Sequence, residues 1–325
     1  MSLPVPDPPP VVWLGAAGTG TAFGIAASIR ARWGGAVRLI AADTNPAHLV
    51  AASALADAFV QVPPAASPEF AAFLTHHLVQ ARATTYVPIL DREILVAAEL
   101  AEAGRLPAGL ALIAPAAATA RICLDKLATA AWLTQQGLPS PRTQLARDAS
   151  WDDADIVAKP RHGVGSVGFR RITSRDELAA LGGSEDLVVQ ELCCAPEITL
   201  DVFRSRRTGF VRAVCRERLE VKAGVCTKAR IFESDELADL ARRVAEGLAL
   251  TGTFCMQVMR ATTDGSWRIT DINPRPGAGT RMTVAAGVDI LCAGLADAWG
   301  MDVEPLLHSL PRERFVVRQY AEYAF

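Results

Sequence analysis

Residues 157–168 read Val-Ala-Lys-Pro-Arg-His-Gly-Val-Gly-Ser-Val-Gly, and this stretch decides the interpretation of the chain. An apolar run that ends in Lys159 predicts a short strand, and the glycines after it predict a loop. Glycines let successive backbone N–H groups turn toward one anion, and a lysine supplies a compact positive charge. The lysine precedes the glycines, so this is not a Walker A loop. The stretch predicts a phosphate-binding loop in which His162 could also touch a phosphate, with a ligand-free hairpin loop as the alternative.

The basic residues of the chain are almost all arginine. Of the 33 lysines and arginines, the lysines are Lys126, Lys159, Lys222 and Lys228. Against this background the positions that keep lysine become candidates for chemistry, because a lysine ammonium fits where the planar fork of arginine does not.

Length and charge exclude several classes of protein. The chain has 325 residues, half of them hydrophobic, and a formal net charge of −2. This predicts about two folded domains and excludes a disordered chain or a general nucleic-acid binder. No apolar run reaches the roughly 20 residues of a membrane span. The 7 cysteines lack metal or redox spacing and the start of the chain lacks the pattern of a secretory signal, so we expect a cytoplasmic protein with free thiols.

Strands and helices alternate in the first third of the sequence. This alternation predicts a parallel sheet with helices on its faces, and one of the predicted helices spans residues 47–58. Beyond residue 115 the pattern changes to one helix over 119–136 followed by antiparallel hairpins. The sequence therefore predicts an α/β domain followed by an α+β domain, with boundaries at 1–10 for a flexible proline-rich lead, 11–115 and 116–325.

A first glycine-rich loop follows the first predicted strand. Its glycines, at Gly15, Gly18, Gly20 and Gly24, depart from the G-x-G-x-x-G spacing of dinucleotide-binding folds, although Asp43 ends the second strand as such folds require. A tight strand-to-helix turn is the favoured interpretation. NAD(P) binding, and a role in holding a small ligand, remain alternatives.

A second group of polar residues lies on a predicted hairpin over residues 253–272. Gln257 and Asp271 are equidistant from Asp264 at its tip, so we expect them to lie opposite each other. Asn273 should share a face with Asp271, because side chains alternate along a strand.

The oxygen atoms of these three side chains suit Mg²⁺, which often also takes substrate phosphates. Arg275 lies two residues after Asn273, and its positive charge could neutralise the negative charge of a phosphoryl group during transfer. The alternative is a hairpin whose polar face points to solvent.

Further residues are candidates for binding a substrate. Asp91 and Glu93 follow a predicted strand, at the edge where open α/β sheets bind ligands. Arg281 follows the flexible turn that begins at Gly277, and its side chain could pair with a substrate carboxylate. An ordinary surface salt bridge is the alternative for Arg281.

Four motifs taken together resemble one known family in their order and spacing. They are Leu124-Asp-Lys126, Val157-Ala-Lys-Pro160 with its glycine loop, Val189-Gln-Glu-Leu192 and Asp271-Ile-Asn-Pro-Arg275. The chain resembles the ATP-grasp superfamily over essentially its whole length, and most closely the biosynthetic ligases related to the ATP-binding halves of carbamoyl-phosphate synthase. The resemblance implies a Rossmann-like pre-ATP-grasp domain followed by two lobes, at about 116–189 and 190–325, that clamp ATP.

The resemblance also implies roles for individual residues around ATP. Lys126 and Lys159 would contact its phosphates, with Lys159 also near the adenine. The loop from Gly163 through Gly165 and Ser166 would cover the β- and γ-phosphates. The segment that reads the adenine edge would be Gln190, Glu191 and Leu192, and the acid that binds the ribose would be Glu197.

The resemblance assigns Mg²⁺ to Gln257, Asp271 and Asn273, and the transition-state arginine to Arg275. Many family members have more acidic metal ligands, so the number of Mg²⁺ ions, one or two, stays open. Lys228 falls near the γ-phosphate or the acceptor, which would gather Lys126, Lys159 and Lys228 at one site. Lys222 has no implied role.

The expected activity is that of a Mg²⁺- and ATP-dependent carboxylate–amine ligase, with Mn²⁺ as a substitute metal. An acyl-phosphate would form from a small carboxylic acid with release of ADP, and an amine would then displace phosphate. Alternatives within the family are carboxylation, thioester formation and phosphorylation. Alternatives outside it are an NAD(P)-dependent oxidoreductase and a nucleotide-binding protein without catalysis. The apolar, alanine-rich helices of the first domain offer a surface for a homodimer.

Overall fold

The fold is built on one parallel and two antiparallel sheets. The computed structural model describes residues 5–151, 155–163, 168–222 and 224–325. The order of the sheets along the chain agrees with the predicted α/β part followed by an α+β part. Within the described ranges, no helix is both long enough and apolar enough to cross a bilayer.

The first sheet is parallel and has the strand order β3-β2-β1-β4-β5. Its strands are β1 (Val11–Leu14), β2 (Arg38–Asp43), β3 (Ala58–Gln61), β4 (Thr85–Val87) and β5 (Ala111–Leu112). The helices of this part are α1 (Gly20–Trp33), α2 (Phe70–Gln80) and α3 (Asp91–Glu102). Buried aliphatic and aromatic side chains on both faces of the sheet explain its apolar strands.

The predicted helix over residues 47–58 is wrong. Two short 3₁₀ turns, Ala47–Leu49 and Ala51–Leu55, lead instead into β3, which pairs with β2. The alanine-rich composition favours a helix locally, but Val50 is fully buried in the core beside α1 and the edge of β2 takes β3 as its hydrogen-bonding partner. Tertiary packing therefore overrides the local preference.

The predicted single helix over residues 119–136 is also interrupted. It consists of α4 (Ala117–Leu124) and α5 (Lys126–Gln135), with Asp125 in extended conformation between them. The Asp125 carboxylate accepts hydrogen bonds from the amides of Leu127 and Ala128, as an N-cap residue does. Lys126 therefore begins a helix.

The second sheet is a small antiparallel one with the strand order β6-β9-β7-β8. Its strands are β6 (Thr143–Leu145), β7 (Ile156–Pro160), β8 (Arg170–Ile172) and β9 (Leu187–Glu191), and α6 (Arg175–Ala179) connects β8 to β9. A separate apolar cluster, which includes Ile156, Ile172 and Val189, forms its core. We call this part the four-stranded lobe.

The third sheet is antiparallel and has the strand order β14-β13-β10-β11-β12-β15. Its strands are β10 (Cys193–Arg204), β11 (Val211–Lys222), β12 (Val225–Phe232), β13 (Gly252–Ala261), β14 (Trp267–Asn273) and β15 (Arg314–Val317). The accompanying helices are α7 (Asp235–Gly247), α8 (Thr280–Ala285) and α9 (Ile290–Ala298). Both predicted hairpins, β10–β11 and β13–β14, are present.

The six-stranded sheet shares a core with the first domain. One of its faces packs on α7, whereas Phe203 and Val214 on the other face belong to the same apolar cluster as α1 and β1. The tip of the β10–β11 hairpin adds polar anchors: Arg206 NH2 donates to the Leu112 carbonyl at 2.7 Å, and Ser205 Oγ donates to Asp297 Oδ1 at 2.6 Å. The first contact fixes the hairpin tip to β5 of the parallel sheet, and the second fixes it to α9.

Candidate active site

Lys159 bridges the two antiparallel sheets. It lies near the end of β7 in the four-stranded lobe, and its Nζ donates to the Thr270 carbonyl on β14 at 3.4 Å. Burial lowers the pKa of Lys159, the Asp271 carboxylate opposes this shift and Lys126 adds to it. Lys159 therefore interacts electrostatically both with Lys126, the other predicted phosphate-binding lysine, and with the predicted metal ligand Asp271.

Lys126 is held against the start of the glycine loop. Its Nζ donates to the Gly163 carbonyl at 3.0 Å, and its backbone N–H donates to the Arg161 carbonyl at 3.1 Å. Nδ1 of the exposed His162 lies 3.1 Å from the Leu124 carbonyl. These hydrogen bonds therefore join the beginning of α5 to the end of β7.

An ion pair that the sequence did not reveal strengthens this connection. Arg161 Nε and NH2 donate to the Asp125 carboxylate at 2.6–3.0 Å. Burial works against ionisation of Asp125, but hydrogen bonds from Arg161 and from two backbone amides outweigh it and lower the pKa of its carboxyl. We call the Asp125–Arg161 pair the strap, because it joins the residue before Lys126 to the residue before His162.

We expect Asp125→Asn to raise the KM for ATP about tenfold, because a small displacement of a phosphate-binding group is costly. Asparagine is as good an N-cap as aspartate, so the helix keeps its cap while the strap loses its charge. The measurement is a steady-state titration with ATP, together with the melting temperature. The control is Arg171→Gln, which breaks the exposed Arg171–Asp155 ion pair of the same lobe. An unchanged KM in Asp125→Asn would show that the strap does not position Lys126.

The glycines at the ends of the loop adopt backbone conformations that favour glycine. Gly163 has φ 128° and Gly168 has φ 78°, and a Cβ on Gly168 would lie 2.9 Å from Pro160 Cγ. The predicted loop residues Gly165 and Ser166 lie outside the residues that the structure describes.

The segment predicted to read adenine connects the two antiparallel sheets. Gln190 is buried on β9, where its Nε2 donates to Thr143 Oγ1 at 2.8 Å. Glu191 accepts a hydrogen bond from the Arg142 amide at 3.2 Å, and the Leu192 carbonyl accepts one from Thr262 Oγ1 at 3.1 Å. A small cavity beside this segment is lined by residues that include Lys126, Gln190 and Asp271.

The predicted pairing on the β13–β14 hairpin is confirmed. Gln257 lies opposite Asp271, and Asn273 lies opposite Cys255 two positions along the strand. Asn273 Nδ2 donates to Asp271 Oδ2 at 2.8 Å, and Gln257 Nε2 donates to Glu197 Oε1 at 2.9 Å. Since each amide nitrogen is turned toward a carboxylate, both amide oxygens remain available to a cation.

This donor set fits Mg²⁺, which prefers oxygen ligands and leaves room for phosphate oxygens. It contains one carboxylate, that of Asp271. In agreement, the part of the chain that the structure describes contains no group of three His, Cys, Asp or Glu side chains placed to hold a metal. Glu197, predicted to bind ribose, lies beside this set and pairs with both Gln257 and Arg218. Its role at the ribose remains a prediction.

Arg275 and Asp91 meet across the junction between the first domain and β14. Arg275 Nε lies 3.7 Å from Asp91 Oδ1, and this buried Nε has no hydrogen-bond acceptor among the residues that the structure describes. Burial raises the pKa of Asp91, the positive charge of Arg275 opposes this shift and Asp271 adds to it. A predicted substrate residue and the predicted transition-state arginine therefore belong to one site.

Glu93 does not join this site. Its carboxylate is buried, where Oε1 accepts from Tyr86 Oη at 2.8 Å and Oε2 accepts from the Ile89 amide at 3.0 Å. A Cβ on Gly15 would lie 1.8 Å from Oε1. The structure therefore gives Glu93 a place inside the first domain, beneath the glycine turn, in place of the predicted substrate contact.

The first glycine loop is a tight turn. Asp43 Oδ2 accepts from the Gly18 amide at 2.7 Å, and a Cβ on Gly18 would lie 3.0 Å from the same oxygen. Asp43 thus closes the turn with the carboxylate that a dinucleotide-binding fold would present to a ribose. The geometry favours the strand-to-helix turn over NAD(P) binding.

Arg281 and Gly277 lie on the other side of the junction. Arg281 is on α8 against α1, with its Cβ 3.4 Å from the position of a Cβ on Gly24. Within the described ranges, Arg281 makes no hydrogen bond or ion pair, so the surface salt bridge is not formed. Gly277 begins the turn before α8, and its N–H donates to Thr280 Oγ1 at 2.9 Å.

Lys228 lies away from Lys126 and Lys159. It is exposed on β12, where its Nζ donates to Glu220 Oε2 at 2.9 Å, and Lys222 pairs with the same carboxylate at 3.6 Å. The strands β10 and β11 separate β12 from β13, which corresponds to about 14 Å between β12 and β13. The four lysines thus form two pairs, one beside Asp271 and one around Glu220, and the place of Lys228 near the γ-phosphate or the acceptor remains a prediction.

A buried ion pair supports the turn from Gly277 to Gly279. Arg216 Nε and NH2 donate to the fully buried Asp201 carboxylate at 2.9 and 3.1 Å. The same carboxylate accepts from Thr280 and Thr283 at 2.7 and 2.6 Å. All four lone-pair directions of the Asp201 carboxylate thus accept a hydrogen bond. These bonds offset the free-energy cost of burying its charge.

We expect Gly279→Ala to lower the free energy of unfolding by about 2–3 kcal/mol, because the added methyl overpacks this site. A Cβ on Gly279 would lie 2.2 Å from Arg216 NH1, whose guanidinium is fixed by Asp201. The measurement is urea denaturation. The control is Gly183→Ala, where a Cβ meets nothing within 4 Å. Equal stabilities of the two variants would contradict the prediction.

Comparison with known proteins agrees with this architecture. Residues 183–322 match a family model described as ATP-grasp in the biosynthetic pathway with Ter operon. N5-carboxyaminoimidazole synthetase from Staphylococcus aureus has a similar fold over 93% of this chain and 80% of its own, with a TM-score of 0.73 at 14% identity. The chain thus resembles the ATP-grasp superfamily, by the family model over residues 183–322 and by its fold. Its parallel sheet followed by two antiparallel sheets agrees with the fold predicted from the sequence.

Two further solved structures of similar fold are enzymes of different specificity. The L-amino acid ligase from Bacillus licheniformis matches with a TM-score of 0.69 and 16% identity, over 89% of this chain and 74% of its own. A biotin carboxylase domain from Hydrogenobacter thermophilus, in complex with MgADP and bicarbonate, matches with a TM-score of 0.70 and 15% identity, over 92% and 71%. No curated protein sequence matches. At these identities the similarities show the fold.

Proposed function

We propose that this chain is an ATP-grasp enzyme, a Mg²⁺- and ATP-dependent carboxylate–amine ligase. The observation that carries the proposal is the meeting of Arg275 and Asp91 at 3.7 Å, next to the cleft that holds Lys159 and Asp271. Groups that suit phosphates and groups that suit a polar substrate therefore adjoin. Such an arrangement supports transfer of a phosphoryl group from ATP to a carboxylate.

Each group has a distinct task in the proposed reaction. Lys126 and Lys159 bind the phosphates of ATP, and Gln257, Asp271 and Asn273 would hold Mg²⁺, which neutralises phosphate charge when bound. Arg275 stabilises the negative charge of the phosphoryl group in transfer. The substrate carboxylate attacks the γ-phosphorus and ADP leaves. An amine then attacks the acyl carbon of the acyl-phosphate, and phosphate leaves.

Asp91 is placed where the first step of the proposed reaction gives way to the second. It is half-buried in the first turn of α3, its pKa is raised, and it faces the arginine that the phosphoryl group would use. We propose that it contacts the substrates at the moment when phosphate is replaced by the amine.

The test is a screen for ADP release with Mg²⁺ and ATP. Small carboxylic acids, bicarbonate, amines and amino acids are added singly and in all acid–amine pairs, with hydroxylamine as a trap for an acyl-phosphate. The proposal expects full turnover only with a pair, formation of an amide of the expected mass, and a hydroxamate when hydroxylamine replaces the amine. Asp271→Asn protein, prepared in the same way, serves as the control for contaminating ATPases.

Other outcomes would assign the chain to other classes. A stable phosphorylated product from one component alone indicates a kinase, and turnover that needs bicarbonate indicates a carboxylating enzyme. Tight ADP binding without ADP release from ATP in any combination indicates a nucleotide-binding protein without catalysis. Each of these results overturns the proposed ligase.

A further inference from the structure

A row of polar side chains crosses four neighbouring strands of the six-stranded sheet. The strands lie in the order β14-β13-β10-β11, and each contributes one residue to the row: Asp271, Gln257, Glu197 and Arg218. Gln257 lies opposite Asp271 on β14 and opposite Thr199 on β10, two positions after Glu197. The row therefore leads from the proposed Mg²⁺ ligands at one end to an arginine at the other.

Hydrogen bonds connect Gln257 to the arginine. Glu197 Oε1 accepts from two donors, Gln257 Nε2 at 2.9 Å and Arg218 NH1. Arg218 NH2 also donates to the Gly224 carbonyl at 3.0 Å, beside the turn between β11 and β12. The guanidinium of Arg218 is thus fixed at two points, and through Glu197 it is connected to the amide of Gln257.

The orientation of the Gln257 amide decides whether it can bind a cation. An amide group has a donor end and an acceptor end of nearly the same shape, and its neighbours determine which way each end points. Because the Glu197 carboxylate is an acceptor, it takes the donor end and leaves the Gln257 oxygen for Mg²⁺. Arg218 in turn holds this carboxylate with a charge-assisted hydrogen bond and balances its negative charge.

We propose that Arg218 is a positioning residue of the Mg²⁺ site, which acts on the ion through Glu197 and Gln257. The inference rests on the proposed function and deepens it, because the metal ligands are those assigned above. Loss of an outer partner of a metal site typically costs roughly 10–100-fold in metal affinity. Since Arg218 acts through two intervening side chains, we expect an effect at the lower end of this range.

The test measures binding of Mn²⁺, as a probe for Mg²⁺, by electron paramagnetic resonance of protein saturated with ADP. Arg218→Met keeps most of the apolar stem of the side chain and removes its donors, and it should weaken Mn²⁺ binding about tenfold. Arg218→Lys keeps a charged donor for Glu197 and should recover most of the affinity. In a Gln257→Ala background, Arg218→Met should cause no further loss, because no amide is left to orient.

The same strand offers a matched control in Arg212, which lies near the other end of β11 and pairs with Glu233. The side chains of this pair are 14% and 33% exposed, against 11% and 30% for Arg218 and Glu197. Arg212→Met should therefore change the melting temperature about as much as Arg218→Met does, but it should bind Mn²⁺ as the wild-type protein does.

The positioning role is overturned if Arg218→Met binds Mn²⁺ at least as tightly as the wild-type protein, or if its loss persists in the Gln257→Ala background. An equally large fall in ADP affinity without metal would also overturn it, because Arg218 would then act on the nucleotide. Asp271→Asn separates the two proposals. If it loses Mn²⁺ and Arg218→Met does not, the positioning role alone fails. If it keeps Mn²⁺, the proposed metal site fails and the positioning role fails with it.

Discussion

Asp271→Asn should lower kcat/KM for ATP about 10³-fold, because loss of metal-assisted charge neutralisation removes several kcal/mol of transition-state stabilisation. Asp271 supplies the carboxylate of the proposed Mg²⁺ set, and the other two members, Gln257 and Asn273, are neutral. Asparagine keeps the size of the side chain and an oxygen atom but removes the charge. The defect should shrink at high Mg²⁺ concentration if it lies in metal binding.

The measurement combines a titration of activity with Mg²⁺ and direct binding of Mn²⁺, followed by electron paramagnetic resonance, in the presence of ADP. Asp264→Asn at the tip of the same hairpin is the control, because Asp264 is exposed, bonds with Ser266 and Arg268, and is not one of the proposed Mg²⁺ ligands. We expect that variant to behave as wild type. If Asp271→Asn retained wild-type activity and Mn²⁺ affinity, the metal site would lie elsewhere.

Arg275→Ala should lower kcat about 10³-fold, the order of effect found when a transition-state arginine is removed. Its buried Nε faces Asp91 at 3.7 Å, so the guanidinium is held where the phosphoryl group would pass. ADP affinity should change less than threefold, because the phosphates of ADP are assigned to Lys126 and Lys159. This separation of kcat from nucleotide affinity distinguishes charge stabilisation in the transition state from simple binding.

Added guanidinium ion should restore part of the activity of Arg275→Ala, since it can enter the space that the side chain leaves. Arg260→Ala on the neighbouring strand β13 is the control. Arg260 stacks on Trp267, with its Cζ 3.6 Å from the ring centroid, and should give no guanidinium response. A fall in ADP affinity as large as the fall in kcat would contradict the assigned role.

Local sequence patterns predicted much of the fold. The hairpin β13–β14 was predictable because an antiparallel pair fixes its own register once the turn is found, and Gln257 does lie opposite Asp271. The failures occur where distant contacts decide. An alanine-rich segment at 47–58 gives way to 3₁₀ turns and β3, and the edge strand β15 is defined by its pairing with β12. Composition does not indicate that β3 pairs with β2 or that β15 pairs with β12.

The candidate site was predicted unevenly for the same reason. Residue type and position suggested Lys126, Lys159 and Arg275, but no spacing in the sequence indicates that Asp91 meets Arg275, because Asp91 begins α3 beside the parallel sheet and Arg275 follows β14 of the six-stranded sheet. Lys228 carried the expected chemistry, yet two strands separate it from the hairpin that holds Asp271. Asp201 does carry a signal, because it is the charged residue of the run Ile-Thr-Leu-Asp-Val-Phe at 198–203, which indicates a buried partner. Arg216 lies in a strand rich in charged residues and carries no such signal.

The anchoring of the β10–β11 hairpin tip distinguishes a fixed unit of two packed sheets from the four-stranded lobe. Because Arg206 ties the hairpin tip to β5 of the parallel sheet and both sheets contribute to one core, these two layers form one fixed unit. The four-stranded lobe has a separate small core and contacts β14 through Lys159. Asp91 and Arg275 both lie on the fixed unit, whereas Lys159 lies on the lobe. In the proposed reaction, residues of one shared core therefore hold the substrate side of the site, whereas the phosphate side is divided between two cores.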